Sequence, residues 1–395
     1  MSSIGRYQPL DSWYVSVRFT PEAATQLLNW CEAAFDPKRP LGLYSHREAP
    51  LRKIAIFAVS IVALSSVCGL LLLAGCTASD EATTPQPIID VHLHAMLLQD
   101  SDPPNEHYCL EYLTHAPTID PVKQPLLSTL AEWRQDPDCP VVVEPAESDE
   151  ANMLRTIQIL RERNIIGIVG GSRELVAKWH AAEPDRIIPA RNFFLGRDAE
   201  TPEEIAAAFK AGEIKVFGEV GNQYFGYAPN APEFEPYWAM AEANDIPVGI
   251  HIGYMPPGAG HWEIGSRISL GDPLLLEEVL IRHPKLRVYI MHSGYPQVER
   301  TIALMQTYPQ VYSDTGMLHA IMTKRGYDDF LSRMFDSGLG KRLMFGTDQI
   351  IWPEMIEIAI GMVESSHVLN EVQKRDLLYN NAARFFRIDE NDRIN

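Results

Sequence analysis

From Pro87 onward, short runs rich in Ile and Val alternate with stretches whose apolar residues recur at helical spacing. This is the pattern of parallel strands joined by crossover helices. Eight strands are predicted: Ile88–Ala95, Ile165–Gly170, Ile187–Phe194, Ile214–Val220, Pro247–Ile252, Arg287–His292, Val311–Asp314 and Arg342–Thr347. Helices are predicted near Met153–Arg163, Arg173–Ala182, Phe234–Ala243, Gln297–Gln306 and Glu354–Ser365, and another begins near Pro273. Thr201, with Glu203 and Glu204 in the turn that follows, marks one more helix start, and Gly212 stops that helix. Eight such units fit a closed α/β barrel, the (β/α)₈ or TIM-type architecture, better than an open doubly wound sheet. Two features lie outside the eight-fold count. A long insertion, Met96 to Asn152, follows the first strand and carries Trp133, Tyr108 and Tyr112, as a lid over the barrel mouth would. A last helix, Glu371–Phe386, is expected on the barrel exterior.

The segment ahead of the barrel reads differently. An apolar run from Ile54 to Ala74, preceded by Arg52 and Lys53, ends in Leu73-Ala74-Gly75-Cys76, which resembles the lipobox of bacterial lipoproteins. Residues 51–76 are therefore expected to be a lipoprotein signal peptide ending at Cys76, with residues 77–87 as a tether and residues 88–395 as the barrel domain. Lipid on Cys76 would hold the mature chain at a membrane of the bacterial cell envelope, facing away from the cytoplasm. A permanent membrane anchor is the alternative for the same run. Residues 1–50 fit poorly ahead of an export signal, which suggests a start assigned too early; a genuine N-terminal cytoplasmic segment is the other reading.

The formal net charge of -18 argues against nucleic-acid binding, which needs a basic face. No Gly-rich phosphate loop follows any predicted strand, so nucleotide chemistry has no footing. With Cys31 and Cys68 outside the mature region and Cys76 modified, Cys109 and Cys139 remain as one possible pair. The oligomeric state is not legible.

In such barrels the reacting residues sit at the carboxyl ends of strands, where the loops form a concave face. Strand one ends in Asp90-Val91-His92-Leu93-His94, and strict alternation would place Asp90, His92 and His94 on one face. Alone, that pair is better described as two hydrogen-bonded core histidines. But His251 ends strand five, His292 ends strand six within Met291-His292-Ser293-Gly294, and Asp348 follows strand eight. Four histidines and an aspartate at strand ends are the nitrogen and oxygen donors a divalent cation accepts, Zn²⁺ first among them, with Mn²⁺, Fe²⁺ and Co²⁺ also admitted. On strand four, Lys215 and Glu219 lie four residues apart and both can face inward, with Glu219 nearer the mouth. An inward ion pair between the two is the plainer alternative.

At these positions the sequence resembles the amidohydrolase superfamily. That family's pattern is His-x-His on strand one, a His on strands five and six and an Asp on strand eight. The branch it looks most like contains aminocarboxymuconate semialdehyde decarboxylase, and its members often end in a motif similar to Asn381-Ala382-Ala383-Arg384-Phe385-Phe386. By that resemblance a strand-four Lys can be carboxylated, or a Glu can serve directly, to bridge two metals, and Glu219 is the better placed of the two. His92, His94, His251 and Asp348 would hold one ion and lower the pKa of a bound water to about 7. Asp348 would act as general base and His292 would steady the water or the developing oxyanion. In a two-ion variant His251 and His292 would bind the second ion with Glu219 bridging. The leading expectation is hydrolysis of a C–N or C–O bond in a small-molecule amide, lactone or ester. The alternatives are a metal-dependent decarboxylase, with Arg191, Arg267 and Lys215 as cations for the departing carboxylate, or a catalytically disabled surface-binding barrel. His107, His115, His261 and His319, with Tyr224, Tyr227, Tyr254, Trp262 and Trp352, are expected around the mouth rather than as ligands. Asp314 is expected to cap a helix or anchor a loop.

Overall fold

Each run of β-branched residues between Ile88 and Met344 forms a strand because both of its faces are buried, one against the barrel interior and one against a helix layer. The computed structural model describes residues 85–388, apart from 102, 263 and 264. The predicted signal peptide, lipobox Cys76, most of the tether and the N-terminal segment lie outside the described residues. Among the described residues, no helix is long and apolar enough to cross a membrane.

The eight strands are β1 (Ile88–Ala95), β2 (Ile165–Gly171), β3 (Ile187–Phe193), β4 (Val216–Val220), β5 (Val248–His251), β6 (Val288–Met291), β7 (Val311–Asp314) and β8 (Leu343–Met344). All neighbouring pairs are parallel and follow chain order from β1 to β8. Two backbone hydrogen bonds join the outer strands, Val91 N to Phe345 O at 3.0 Å and Asp348 N to His92 O at 2.7 Å. The architecture is the (β/α)₈ barrel that the alternation predicts.

Its helices are α1 (Asp149–Glu162), α2 (Arg173–Ala182), α3 (Pro202–Lys210), α4 (Glu235–Ala243), α5 (Glu277–Arg282), α6 (Val298–Thr307), α7 (Lys324–Asp336) and α8 (Met355–Glu364). Thr201 and Glu204 form a capping box at the start of α3, each satisfying the other's backbone N–H. Helix α7 has no counterpart in the predicted set. Its apolar positions Tyr327, Phe330, Leu331 and Met334 recur at helical spacing and are buried, so the signal was present in the sequence.

One placement differs from expectation. The C-terminal segment Glu371–Phe386 is one helical run interrupted by a π turn at Asp376–Asn380, and it closes the floor of the barrel instead of packing on its side. Tyr379, Ala382 and Phe385 join the interior cluster of Ile89, Val91, Tyr289 and Met344. Asn381 Nδ2 donates to the carbonyls of Gly340 and Leu343 at 2.8 and 2.7 Å. The reason is that a short eight-stranded barrel leaves apolar side chains uncovered at its lower end, and the aromatic residues of this helix cover them.

The insertion contains a two-stranded antiparallel ribbon, Tyr108–Cys109 with Val142–Val143, and helices Tyr112–His115 and Leu126–Gln135. Cys109 and Cys139 form a disulfide across it, with Cα atoms 6.1 Å apart. It is pinned to the loop after β8 by Ala146 N to Ile351 O at 3.0 Å and Trp352 Nε1 to Glu106 O at 2.7 Å.

Candidate metal centre

Strict alternation along β1 is broken where the site begins. Pairing with β2 slips between Asp90 and Leu93, which is a β-bulge. Ile89 and Val91 pack in the barrel interior. Asp90 does not join the histidines: it accepts from His92 N at 3.0 Å, Thr347 N at 3.1 Å and Thr347 Oγ1 at 2.6 Å. It thereby ties the end of β1 to the segment after β8. The bulge lets Val91 fill the interior while His92 and His94 still converge above it, their ring centroids 5.1 Å apart.

His292 and Asp348 are aimed by unusual backbone. His292, Ser293 and Asp348 have φ of 56°, 47° and 59°, the left-handed region that side-chain-bearing residues seldom occupy. Such conformations persist only where the surroundings over-determine them. Here Asp348 N is held by His92 O, and Ser293 Oγ donates to Asp314 O at 2.6 Å.

His94 Nε2 lies 2.9 Å from Asp348 Oδ1 and 3.5 Å from Glu219 Oε2. His92 Nε2 lies 3.6 Å from Asp348 Oδ1 and 3.9 Å from Glu219 Oε2. His292 Nε2 is 3.8 Å from Glu219 Oε1. All six predicted site residues, His92, His94, Glu219, His251, His292 and Asp348, are buried. Two groups of three place their donor atoms within 4.8 Å of one another: His92, His94 and Asp348, and His92, Glu219 and His292. His251 stands beside both, with Nδ1 hydrogen-bonded to Glu219 Oε1 and Nε2 2.8 Å from the carbonyl of Tyr254. Lys215 precedes β4 and is exposed, so only Glu219 of that pair reaches the centre.

Partners that a single strand's sequence does not reveal orient these rings. Asp314 accepts from His92 Nδ1 at 3.0 Å, and its other oxygen accepts from His292 N at 2.8 Å and Gly316 N at 2.9 Å. It is not a helix cap; it anchors the loops after β6 and β7, as one of the two expectations had it, and it also orients His92. His292 Nδ1 donates to Gly316 O at 3.0 Å. Asn192 Oδ1 accepts from Glu219 N at 2.7 Å, which leaves Asn192 Nδ2 facing His94 Nδ1 at 3.0 Å.

A divalent cation fits this donor set. With Nδ1 committed to Asp314, His92 Nε2 is a buried lone pair without a hydrogen-bond partner, as in the carboxylate–histidine–metal arrangement. The electrostatics point the same way. Burial lowers the His92 pKa, but the charges of Asp348 and Asp314 outweigh it and push the ring up to about 10. Burial raises Asp348, but His92 and His94 hold it down at about 2. Glu219 is held well below the usual carboxylate range in the same way, chiefly by His251 against burial. His292 is raised because its contact with Glu219 overcomes burial. Without a metal, the cluster takes up positive charge as protons.

Around the mouth, Tyr224 lies 4.7 Å from the His251 ring and stacks on Trp262, and Tyr108 meets Trp352 at 4.9 Å, centroid to centroid. Tyr227 packs on Phe234 instead. Burial first pushes the phenols of Tyr108, Tyr224 and Tyr254 well above their ordinary range, helped next by neighbouring tyrosines at Tyr108 and Tyr254 and by Glu219 and Asp348 at Tyr224, so they stay protonated. Of the three predicted cations, Arg191 is bound to Glu200 and to Gly171 O at 2.9 Å, while Arg267 and Lys215 are exposed. The sequence reading missed Arg134, a buried arginine in the insertion whose charge acts on Tyr112 and Tyr254. Its placement on an amphipathic helix of a long loop carries no local signal. His107 pairs with Glu144 at 3.1 Å, His261 is exposed and His115 is half-buried.

The family model described as amidohydrolase matches residues 89–388. Among solved structures, an uncharacterised TIM-barrel protein from Bordetella bronchiseptica is similar at a TM-score of 0.52 and 20% identity, covering 76% of this chain and 99% of that chain. A manganese-bound 5-carboxyvanillate decarboxylase from Novosphingobium aromaticivorans, solved with 3-methoxy-4-hydroxy-5-nitrobenzoic acid, is similar at a TM-score of 0.50 and 12% identity, covering 78% and 99%. At these identities the likeness is one of fold. Protein fluG of Emericella nidulans is 22% identical over 134 residues, 30% of this chain and only 16% of that protein's length.

Proposed function

The chain belongs to the amidohydrolase family, and from that premise we propose that it is a divalent-metal-dependent decarboxylase of a small carboxylic acid carrying a hydroxylated ring. The observation that carries this reading is the lining of the mouth. Tyr224 lies beside the His251 ring and Tyr108 beside Trp352, the phenols of Tyr108, Tyr224 and Tyr254 stay protonated, and Arg134, buried and with its charge acting on Tyr254, is the cation a carboxylate needs. The manganese-bound neighbour acts on a substrate of that class, which supports the choice.

His92, His94 and Asp348 would hold the metal, with Glu219 and His292 on its other side. Both groups use His92, whose single free nitrogen is Nε2, which favours one ion over two. When bound, the ion supplies Lewis acidity that draws charge from substrate oxygens. The remaining steps belong to the chain. Tyrosine faces orient the ring and Arg134 holds the carboxylate until it leaves. His292 donates its proton to the ring carbon that bears the carboxylate. The C–C bond then breaks, its electron pair stays with the ring, and CO₂ departs. His292 regains a proton from water. Asp314 and Gly316 keep the imidazole in register throughout.

Hydrolysis by the same centre is the second reading, favoured by Asp348, a buried carboxylate within the donor cluster that can accept a proton from water. Protein loaded separately with Mn²⁺ and Zn²⁺ would be offered hydroxybenzoic acids, lactones, esters and amides, with CO₂ and new acid measured in parallel. CO₂ from a hydroxybenzoic acid, lost in Asp348→Asn and His292→Phe, is expected. New acid from a lactone or ester without CO₂ would replace the decarboxylase reading with the hydrolase one. The envelope location and the lipid on Cys76 form a separate proposal, tested by fractionation of the native protein and mass spectrometry of its N-terminal peptide.

A further inference from the structure

His319 is the one buried histidine among the described residues with neither ring nitrogen hydrogen-bonded. It lies in the short helix Leu318–Ile321 that follows β7, and it belongs to neither group of candidate ligands. Immediately before that helix, Met317 N donates to Thr347 O at 3.1 Å, which seats the helix beside Asp348. From above, the insertion helix Tyr112–His115 packs on it. The charge of Asp348 reaches the ring, yet burial dominates and pulls the imidazole down to about 4, so it is neutral at physiological pH.

A neutral imidazole carries one N–H donor and one lone pair. Leaving both unmet in the interior is destabilising, and groups of this kind in native proteins call for a partner or a role. The sequence placed His319 only somewhere over the mouth. The structure puts it between the strand-eight aspartate and the insertion, on the side of the centre opposite β4.

We propose that His319 is a substrate-positioning residue whose ring N–H is met by an oxygen acceptor of the bound substrate, a carboxylate, phenol or carbonyl oxygen lying over Asp348. This rests on the reading of the metal centre as the place where substrate binds. The empty hydrogen-bonding capacity is then a stability sacrifice retained for binding, as is common at functional sites.

His319→Leu, close in volume and without polar atoms, separates this role from a structural one. If the ring awaits a ligand, the variant keeps stoichiometric Mn²⁺ and melts about 2 °C or more above the parent protein, because an unmet buried polar group is gone. A structural histidine predicts a lower melting temperature, and that outcome overturns the proposal without any substrate. In a second arm, binding of 3-methoxy-4-hydroxy-5-nitrobenzoic acid to Mn²⁺-loaded protein is followed by its nitrophenol absorbance. The expected Kd rises about tenfold or more in His319→Leu, the loss of roughly one hydrogen bond to a charged group, and His319→Gln, which retains a donor, restores part of it. Equal Kd values in the parent and His319→Leu overturn the proposal. If the parent protein itself does not bind this probe, the hydroxylated-ring reading fails, and the melting arm alone decides for or against His319.

Discussion

Replacing Asp314 by Asn tests the centre at the point where a small chemical change has a defined consequence. Asp314 is fully buried, and its Oδ1 accepts from two backbone N–H groups, those of His292 at 2.8 Å and Gly316 at 2.9 Å. Those donors oblige an asparagine to place its own oxygen there. Its NH₂ group then takes the place of Oδ2, 3.0 Å from His92 Nδ1, and donates where the aspartate accepted. His92 must respond by moving its proton from Nδ1 to Nε2, the nitrogen that a metal requires bare. The shape of the site is kept and the tautomer is wrong, the same logic by which an Asp-to-Asn change disables a catalytic triad. Loss of an outer-shell carboxylate typically lowers metal affinity by about 10- to 100-fold, or about 1.4 to 2.8 kcal/mol. Competition against a chromophoric chelator gives the Kd for Mn²⁺ and Zn²⁺, with circular dichroism to confirm the fold. Gly316→Ala is the steric counterpart, since a Cβ there would stand 2.5 Å from His92 Nδ1. An Asp314→Asn protein that is folded and binds both ions within threefold of the parent would refute the reasoning.

Three further outcomes are expected. The metal-free His92 pKa of about 10 lies above its ordinary 6.5, so its stabilising contribution is complete below pH 6.5 and is lost as pH rises through 10. Asp348, depressed from 3.8 to about 2, contributes above pH 3.8 and loses that contribution as pH falls through 2. Metal must displace the His92 proton, so apparent affinity should rise about tenfold per unit from pH 7 to 9; calorimetry in buffers of different ionisation enthalpy that finds no proton release would contradict this. Breaking the Cys109–Cys139 bond, whose ends are 30 residues apart, should remove up to about 3–4 kcal/mol from the insertion. Limited proteolysis of a Cys109→Ser, Cys139→Ser protein should then cut between 110 and 138 while the barrel survives, and an unchanged pattern would argue against it. Phe385→Ala should cost about 3–5 kcal/mol in denaturant titration by opening a cavity in the barrel floor, with metal content unaffected; loss of metal would show that floor and centre are coupled.

The sequence determined the barrel and the order of its strands, and it placed the candidate donors near the strand ends, because each depends on a local period. A buried parallel strand shows as a run of apolar residues, and the candidate ligands fall in its last residues or within the four residues that follow. His92, His94, His251, His292 and Asp348 were legible for that reason, and Glu219 was preferred over Lys215 on position along one strand. What pairs with those donors was not legible. Asp314 stands 222 residues from His92 and Asn192 stands 98 from His94, distances over which no periodicity carries information. The β-bulge that separates Asp90 from the histidines depends on strand pairing, and the inward position of Arg134 depends on how the insertion folds over the mouth. The floor helix has the same apolar pattern whether it lies against the side or the end of a barrel, and only closure of the eight strands leaves an uncovered end to bury. Tertiary structure decided these points because they depend on which surfaces meet, and an amphipathic pattern records that a surface is buried without recording against what.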